Sequence, residues 1–331
     1  KTYYVAAVAS SGTTTCESSI RTSVNFIVKI GAAANDISVS GNLDVCFGGQ
    51  TTITLGSTGV TNPVYKWYTS QTAPLPESTD NPRTFTNVTT NLTYYVSVSG
   101  SNACENEINN RKEIVVTVNS LPDFPLVNTT TEVCKNANVM LTFGPTVSGN
   151  IYTLYDAATG GVIKGSGVGD GGNLTINCGT APAGAPEYYL EIENNITGCK
   201  TATRQKYTGL VTAYPVLPTT VTASNICSGT TLTVSIATAL TGHTYEVYDV
   251  ATGGTLKGSA VGNGGTININ CGAVSGSGST NYYVQVTKDN ISCTNPTRKV
   301  VNFTIYDLPV LPPSATVTVP QVCTGSNIII Y

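Results

Sequence analysis

The amino-acid sequence predicts an all-β chain of tandem two-sheet sandwiches. Three observations carry this: a sequence repeat at intervals of 88 to 96 residues, a surface chemistry of Thr, Ser, Asn and Gly in place of charge, and cysteines at matching places in each repeat. A paired tyrosine recurs at Tyr3-Tyr4, Tyr94-Tyr95, Tyr188-Tyr189 and Tyr282-Tyr283. A cysteine follows each pair (Cys16, Cys104, Cys199, Cys293), and an arginine follows each cysteine (Arg21, Arg111, Arg204, Arg298). Another cysteine opens each unit: Cys46, Cys134, Cys227 and Cys323. Tyr152–Gly179 aligns without a gap on Tyr245–Gly272, and 18 of the 28 positions are identical. Self-similarity at this period marks repeated copies of one supersecondary unit.

Within a unit, short apolar or alternating stretches are separated by turn signals, the pattern of a sandwich. In residues 122–215 strands are expected at Val139–Phe143, Tyr152–Tyr155, Leu174–Asn177, Glu187–Ile192 and Gln205–Val211. Ala158-Thr159-Gly160-Gly161 reads as a hairpin turn, because paired glycines reach positive φ without strain. Trp67, the one tryptophan, lies on the strand Val64–Tyr68 where an immunoglobulin sandwich keeps its core indole; the other units place Leu154 and Val247 there. The expectation is therefore tandem immunoglobulin-like β-sandwich domains in a rod-like array. Whole domains are expected at 32–121, 122–215 and 216–308, with the C-terminal part of one at 1–31 and the N-terminal part of another at 309–331. Residues 1–31 are expected to supply only the last two strands of their unit, and a longer native protein is expected. Pro-containing joints at Leu121-Pro122, Tyr214-Pro215 to Leu217-Pro218, and Leu308-Pro309 to Pro312-Pro313 would stiffen the array.

Composition narrows the function. Only 11% of the residues are charged and the net charge is −3, so there is no basic stripe to neutralise a phosphate backbone, and nucleic acid is not expected as a partner. No run of 18 apolar residues offers a membrane span. Ten cysteines with one histidine and no C-x-x-C pair fail zinc spacing and point to an oxidising, extracytoplasmic setting.

The opening cysteine, Tyr155–Gly161 (Tyr-Asp-Ala-Ala-Thr-Gly-Gly), Tyr188-Tyr189-Leu190, Gly198-Cys199 and Arg204 together resemble the Ig-like repeats of large Bacteroidota surface proteins. Gliding-motility-type adhesins and other cargo of the type IX secretion system are among these. The resemblance covers the whole chain. It implies a giant protein, anchored at the outer membrane or released, with adhesive ends and a repetitive shaft. Residues 32–121 depart from the pattern, with Tyr68-Thr69-Ser70-Gln71 in place of Tyr-Asp-Ala-Ala.

No catalytic, cofactor-binding or metal-binding residues are expected. Gly167–Gly172 fits G-x-G-x-x-G, but a strand follows where a dinucleotide site needs a helix, and the aligned copy has Ala260 at the first glycine. His243 lies between two strands with no nucleophile elbow. Asp156 and Asp249 give one carboxylate per turn, which suits an Asx-type hydrogen bond better than calcium. Of each tyrosine pair one ring should face the core and the other outward. Seven N-x-S/T sequons occur, at Asn87, Asn91, Asn128, Asn173, Asn195, Asn290 and Asn302; in a bacterial source no glycan is expected on them.

The structural disulfide residues are expected to be Cys46, Cys104, Cys134, Cys199, Cys227 and Cys293. The repeat count pairs them within each domain as Cys46–Cys104, Cys134–Cys199 and Cys227–Cys293. A plain strand count places those partners at opposite poles and would instead bring Cys134 to Cys178 and Cys227 to Cys271. Both pairings stand open at this point. Three functions compete: the stalk of a secreted, outer-membrane-attached adhesin, a carbohydrate-binding array, and the subunit of a self-assembling extracellular fibre. The expected partners are neighbouring repeats of the same long chain, with surface glycans or the outer-membrane secretion and motility machinery beyond them.

Overall fold

A computed structural model describes residues 1–310 and 324–325. The partial repeat expected at 309–331 thus lies almost wholly outside the described residues. The described chain is strands joined by turns, and its only helical segments are three-residue 3-10 turns at Ala34–Asp36, Ile108–Asn110 and Asp289–Ile291. Its contacts divide it into two compact units. One holds Lys1–Asn128, Thr142–Ile176 and Tyr188–Tyr207; the other holds Thr129–Leu141, Asn177–Glu187 and the chain from Thr208 onward.

In the first unit, the strands from Ile37–Ser40 to Lys112–Asn119 form a sandwich. A three-stranded sheet orders Arg83–Val88, Gly49–Ser57 and Ile37–Ser40. A four-stranded sheet orders Asp44–Cys46, Lys112–Asn119, Leu92–Ser99 and Val64–Tyr68. Gly49–Ser57 shows why these residues make strands. Thr51, Ile53 and Leu55 are buried while Thr52 and Thr54 face solvent, the period-two alternation of a sheet with one dry face. Trp67 is fully buried at the centre, among Ile53, Val96, Val98, Ile114 and Val116. Its indole N–H donates to the Asp80 carbonyl at 2.9 Å, so the polar atom of the ring is not left orphaned.

Residues 1–31 carry more than the two strands expected. Thr2–Val5 pairs with Thr22–Asn25, and Val8–Ser11 forms a hairpin with Thr14–Glu17. Ile30–Gly31 then runs parallel to Ala103–Cys104. The first four of these strands expose nearly all of their side chains, so they carry no alternation of buried and exposed positions that a sequence could display.

Most of the middle repeat's four-stranded sheet also belongs to the first unit. Its order is Ile163–Val168, Asn150–Tyr155, Glu187–Asn194, Gln205–Thr208. Leu154, which stands where Trp67 stands, is fully buried. The expected strand Gln205–Val211 breaks at Gly209-Leu210 into Gln205–Thr208 and Val211–Thr212.

The second unit contains a sandwich whose strands run from Val221–Ala223 to Lys299–Tyr306. One sheet orders Val221–Ala223, Thr230–Ile236 and Ile267–Val274. The other orders Ile226–Cys227, Lys299–Tyr306, Gly278–Lys288, His243–Tyr248 and Leu256–Val261, with Cys293–Thr294 paired to the long central strand. Leu232, Val234, Val247, Val284 and Val286 are fully buried between them.

The strands that the sequence does not display include Ile163–Val168 and Leu256–Val261. Each carries glycine and lysine, which are depleted in strands. Their pairing with Asn150–Tyr155 and His243–Tyr248 is imposed by the fold. The glycine that ends each hairpin has a steric reason. A Cβ at Gly169 would clash with the Val147 carbonyl oxygen, and one at Gly262 with the Leu240 carbonyl oxygen. Gly262→Ala should therefore destabilise the 216–308 sandwich by about 1–3 kcal/mol, as overpacking does. Urea unfolding of the full chain beside the wild type measures this, and an unchanged midpoint would refute the close approach.

Candidate functional site: an arginine latch and a disulfide seam

Each sandwich repeats one polar arrangement. A tyrosine ends one strand in each: Tyr155 and Tyr248 lead into hairpins, and Tyr68 leads into the turn that bridges back to Trp67 at Ser78. The arginine that follows the later cysteine lays its guanidinium on that ring, at 3.4 Å from the ring centroid for Arg111, 3.3 Å for Arg204 and 3.6 Å for Arg298. The same guanidinium clamps the hairpin backbone. Arg204 Nη1 donates to the carbonyls of Ala157 (3.0 Å) and Gly160 (2.5 Å). Arg298 Nη1 donates to those of Val250 (2.8 Å) and Gly253 (2.7 Å), and Arg111 Nη1 to those of Gln71 (3.0 Å) and Ala73 (2.9 Å).

The hairpin is shaped to receive it. Asp156 Oδ1 accepts the Val162 N–H at 2.7 Å and Asp249 Oδ1 accepts the Thr255 N–H at 2.8 Å, closing each turn from inside. These backbone bonds, with the nearby lysines Lys164 and Lys257, hold both carboxyls below the usual aspartate range. Gly160, Gly161, Gly253 and Gly254 take positive φ so that the carbonyls turn toward the arginine. Arg204 and Arg298 are completed by Glu191 Oε2 (3.4 Å) and Gln285 Oε1 (3.0 Å). At the matching place residues 32–121 have Ser97, and Arg111 Nε is a buried donor with no partner. Glu105 gathers the freed contacts instead. It accepts from Lys66 Nζ (2.6 Å), Ser97 Oγ (2.6 Å) and Tyr68 Oη (2.5 Å). Burial alone would raise its carboxyl, but these three donors outweigh burial and hold it at about 2.

The cysteines follow a rule that neither sequence pairing anticipates. Cys46 is bonded to Cys199 and Cys134 to Cys293, with Cα separations of 5.5 and 5.1 Å, inside the normal range. Each bond joins the opening cysteine of one repeat to the later cysteine of the next. The expected Cys46–Cys104, Cys134–Cys199 and Cys227–Cys293 bonds are absent, and so are the Cys134–Cys178 and Cys227–Cys271 alternatives. Strand pairing gives the reason. Asp44–Cys46 runs parallel to Thr117–Asn119, the end of its own repeat's last strand. Cys104 lies instead on the strand beside Ile30–Gly31, where the chain enters that repeat. Opening and later cysteines of one repeat thus sit at opposite poles, too far apart for a disulfide. Cys16, Cys104 and Cys227 are exposed thiols; Cys178 and Cys271 are buried thiols whose pKa burial pushes up to about 11.

Other contacts flank the Cys134–Cys293 seam. Glu132 pairs with Lys288 at 3.0 Å and accepts a short hydrogen bond from Thr212. Asn295 Nδ2 donates to the Pro215 carbonyl at 2.9 Å. Nothing in the sequence points to Glu132 or Asn295, because their contacts depend on which repeats adjoin.

The remaining sequence candidates fall in scaffold positions. His243 opens a strand with Nδ1 3.0 Å from the Thr241 carbonyl. Gly167 and Val168 end a strand, and the rest of the glycine-rich run is the loop into Leu174–Thr180. Tyr188 and Tyr282 are buried and Tyr189 and Tyr283 half-buried, whereas Tyr3 and Tyr4 are both exposed. Among the described residues no three His, Cys, Asp or Glu side chains gather as metal ligands would, and no helix is long and apolar enough to cross a membrane.

The description of one protein family, the Ig-like domain that is CHU_C associated, matches residues 34–119, 122–212 and 215–306. The chain belongs to this family. Solved structures similar to the chain include the chicken CNTN1 FN1–FN3 domains, at 10% identity and a TM-score of 0.32, covering 81% of this chain and 96% of that one. The I9–I11 tandem of titin is similar at 11% identity and a TM-score of 0.35, covering 82% and 100%. The N-terminal eight Ig domains of Down Syndrome Cell Adhesion Molecule isoform 1.30.30 are similar at 14% identity and a TM-score of 0.32, covering 90% and 39%. No curated protein matches the chain. Within the three Ig-like repeats the latch and the opening cysteine recur at corresponding places, so both are features of the repeat.

Two predictions follow from the latch geometry. Arg298→Met should cost about 1.5–3 kcal/mol, the scale of hydrogen bonds to a charged group, and should speed hydrogen exchange at the Thr255 amide. Arg298→Lys should recover little, because an ammonium cannot stack and fork at once; full recovery by lysine would mean that charge alone matters. Glu105 titrates at about 2 when folded against an ordinary 4.5. Its folded pKa is depressed, so its contribution is complete above about pH 4.5 and is lost as the pH falls toward 2. The 32–121 repeat should lose stability across that window, and Glu105→Gln should flatten the profile. Melting curves at stepped pH give the comparison.

Proposed function

We propose that the chain is a structural stalk segment of a secreted cell-surface adhesin, and that its work is to bear tension while holding a binding end away from the cell. The observation that carries this reading is the overlap of the two disulfides. Cys134 lies between Cys46 and Cys199 in the chain, and Cys199 lies between Cys134 and Cys293. A pull along the chain therefore meets a covalent shortcut at one repeat before it has left the previous one. On this reading the partners are neighbouring Ig-like repeats, with surface glycans or outer-membrane secretion and motility machinery beyond the segment. The setting is extracellular, where such bonds persist. A sugar-stacking role for Tyr68, Tyr155 and Tyr248 is disfavoured, because a guanidinium already covers one face of each ring.

The energetics agree with a tether. The Cys46–Cys199 bond spans a sequence separation of 153, and a closed loop of that size is worth about 5 kcal/mol in the chain-entropy model. That is comparable with the whole stability of a modest domain, about 5–15 kcal/mol.

Single-molecule stretching of the full chain tests the proposal. Without disulfides, the stretch from Cys46 to Cys293 would extend to about 860 Å at roughly 3.5 Å per residue. With both bonds closed the shortest covalent path runs Cys46 to Cys199, along the chain to Cys134, and across to Cys293. That path extends to only about 230 Å on the same scale. Reductant should release the difference. Equal contour lengths with and without reductant would remove the basis for a tension-bearing role.

A further inference from the structure

The disulfides follow a rule: an opening cysteine takes the later cysteine of the next repeat. Three exposed thiols occupy rule positions without a partner in this chain, Cys16 and Cys104 as later cysteines and Cys227 as an opening one; of these, Cys104 and Cys227 lie within family-matched repeats. Their surroundings match those of the bonded cysteines. Ile226–Cys227 runs parallel to Ile305–Tyr306, as Val133–Cys134 runs parallel to Val211–Thr212 and Asp44–Cys46 to Thr117–Asn119. The residue after each of the three donates its N–H back to the last strand: Ser228 to Tyr306 (2.9 Å), Lys135 to Thr212 (2.7 Å), Phe47 to Asn119 (2.9 Å). At the other pole, Cys104 Sγ lies 3.9 Å from the Lys29 carbonyl, and the bonded Cys293 Sγ lies 3.9 Å from the Ala213 carbonyl, each carbonyl belonging to the joint that enters the repeat. An exposed cysteine alone carries nothing; here the equivalent side chains in adjoining repeats are already bonded in the same local frame.

We propose that Cys104 and Cys227 are covalent docking sites for further Ig-like repeats of this kind, Cys104 for a repeat-opening cysteine on its N-terminal side and Cys227 for a later cysteine on its C-terminal side. The bonds of this segment are then internal rungs of a longer ladder. The pairing is always opening with later, so the interface is heterologous: it propagates along an array and does not close into a twofold dimer. Each rung forms when a protein thiolate attacks a disulfide-bearing oxidant and the second thiolate resolves the mixed disulfide. Two S–H bonds break, one S–S bond forms, and the two protons and two electrons leave with the oxidant as two thiols. Cys178 and Cys271 stay out of this chemistry, because burial keeps them protonated.

The proposal extends the stalk reading, yet the two fail separately: stretching tests the Cys46–Cys199 and Cys134–Cys293 bonds, whereas this test reads Cys104 and Cys227. One variant of the full chain receives an extra copy of residues 216–308 inserted after Leu308. A second receives an extra copy of residues 122–215 inserted after Gly31. Both are refolded with oxidised glutathione as oxidant, alkylated with N-ethylmaleimide and mapped without reduction. In the first, the Cys227 peptide should be linked to Cys293 of the inserted copy, and Cys227 alkylation should fall to background. In the second, Cys104 should be linked to Cys134 of the inserted copy. Protection of Cys271 in the inserted copy, or of Cys178 in the other, reports that the copy has folded. Cys227 and Cys104 fully alkylated in their respective variants, with Cys46–Cys199 and Cys134–Cys293 closed, would overturn the proposal.

Discussion

The short parallel pairing between the cysteine-bearing strand and the end of the last strand is the constraint on which the cross-linking depends. In residues 32–121 it binds Asp44–Cys46 to Thr117–Asn119, and in residues 216–308 it binds Ile226–Cys227 to Ile305–Tyr306. An opening cysteine near the start of a repeat is thereby carried to the pole where that repeat ends. The later cysteine, after the strand of the paired tyrosines, returns to the entry pole. A disulfide needs Cα atoms about 6 Å apart, so these two cannot meet inside one sandwich, and the neighbouring repeat supplies the partner.

The proposed mechanical role rests on the same placement. A bond closed inside one sandwich would shorten only that sandwich under load. Bonds that overlap along the chain make consecutive repeats share load covalently, since every stretch between Cys46 and Cys293 lies inside at least one closed loop. The Glu132–Lys288 pair and the Asn295 contact with Pro215 add polar register at the seam, but an ion pair that water reaches contributes little to stability. Covalent bonds dominate.

The arginine latch shows how a chain with few charges spends them. Arg204 and Arg298 each join a tyrosine ring, a hairpin backbone and a strand side chain through one guanidinium. Lysine lacks the plane and the fork for that combination. The hairpin is a long surface connection with glycine at its tip, and the latch restrains it without a second apolar core. Where Ser97 replaces the usual strand partner, Glu105 rebuilds the network on Lys66 and Tyr68 and leaves Arg111 Nε unsatisfied.

By itself the sequence determined the repeat, the all-β class and the core. Alternation such as that of Thr51–Leu55 dictates one dry face, and Trp67, Leu154 and Val247 occupy one buried place in three repeats. It also flagged the recurring arginine after each later cysteine, though not its stack on tyrosine, because residues as distant in the chain as Arg204 and Tyr155 meet only through the fold. The strands Ile163–Val168 and Leu256–Val261 stayed hidden, since their glycines and lysines run against strand propensity and only the pairing partners hold them extended. Disulfide partners were beyond reach for a related reason. Equal spacing in every repeat makes pairing within a repeat and pairing to the next repeat indistinguishable along the chain. Only the three-dimensional placement of each cysteine at one pole or the other decides between them.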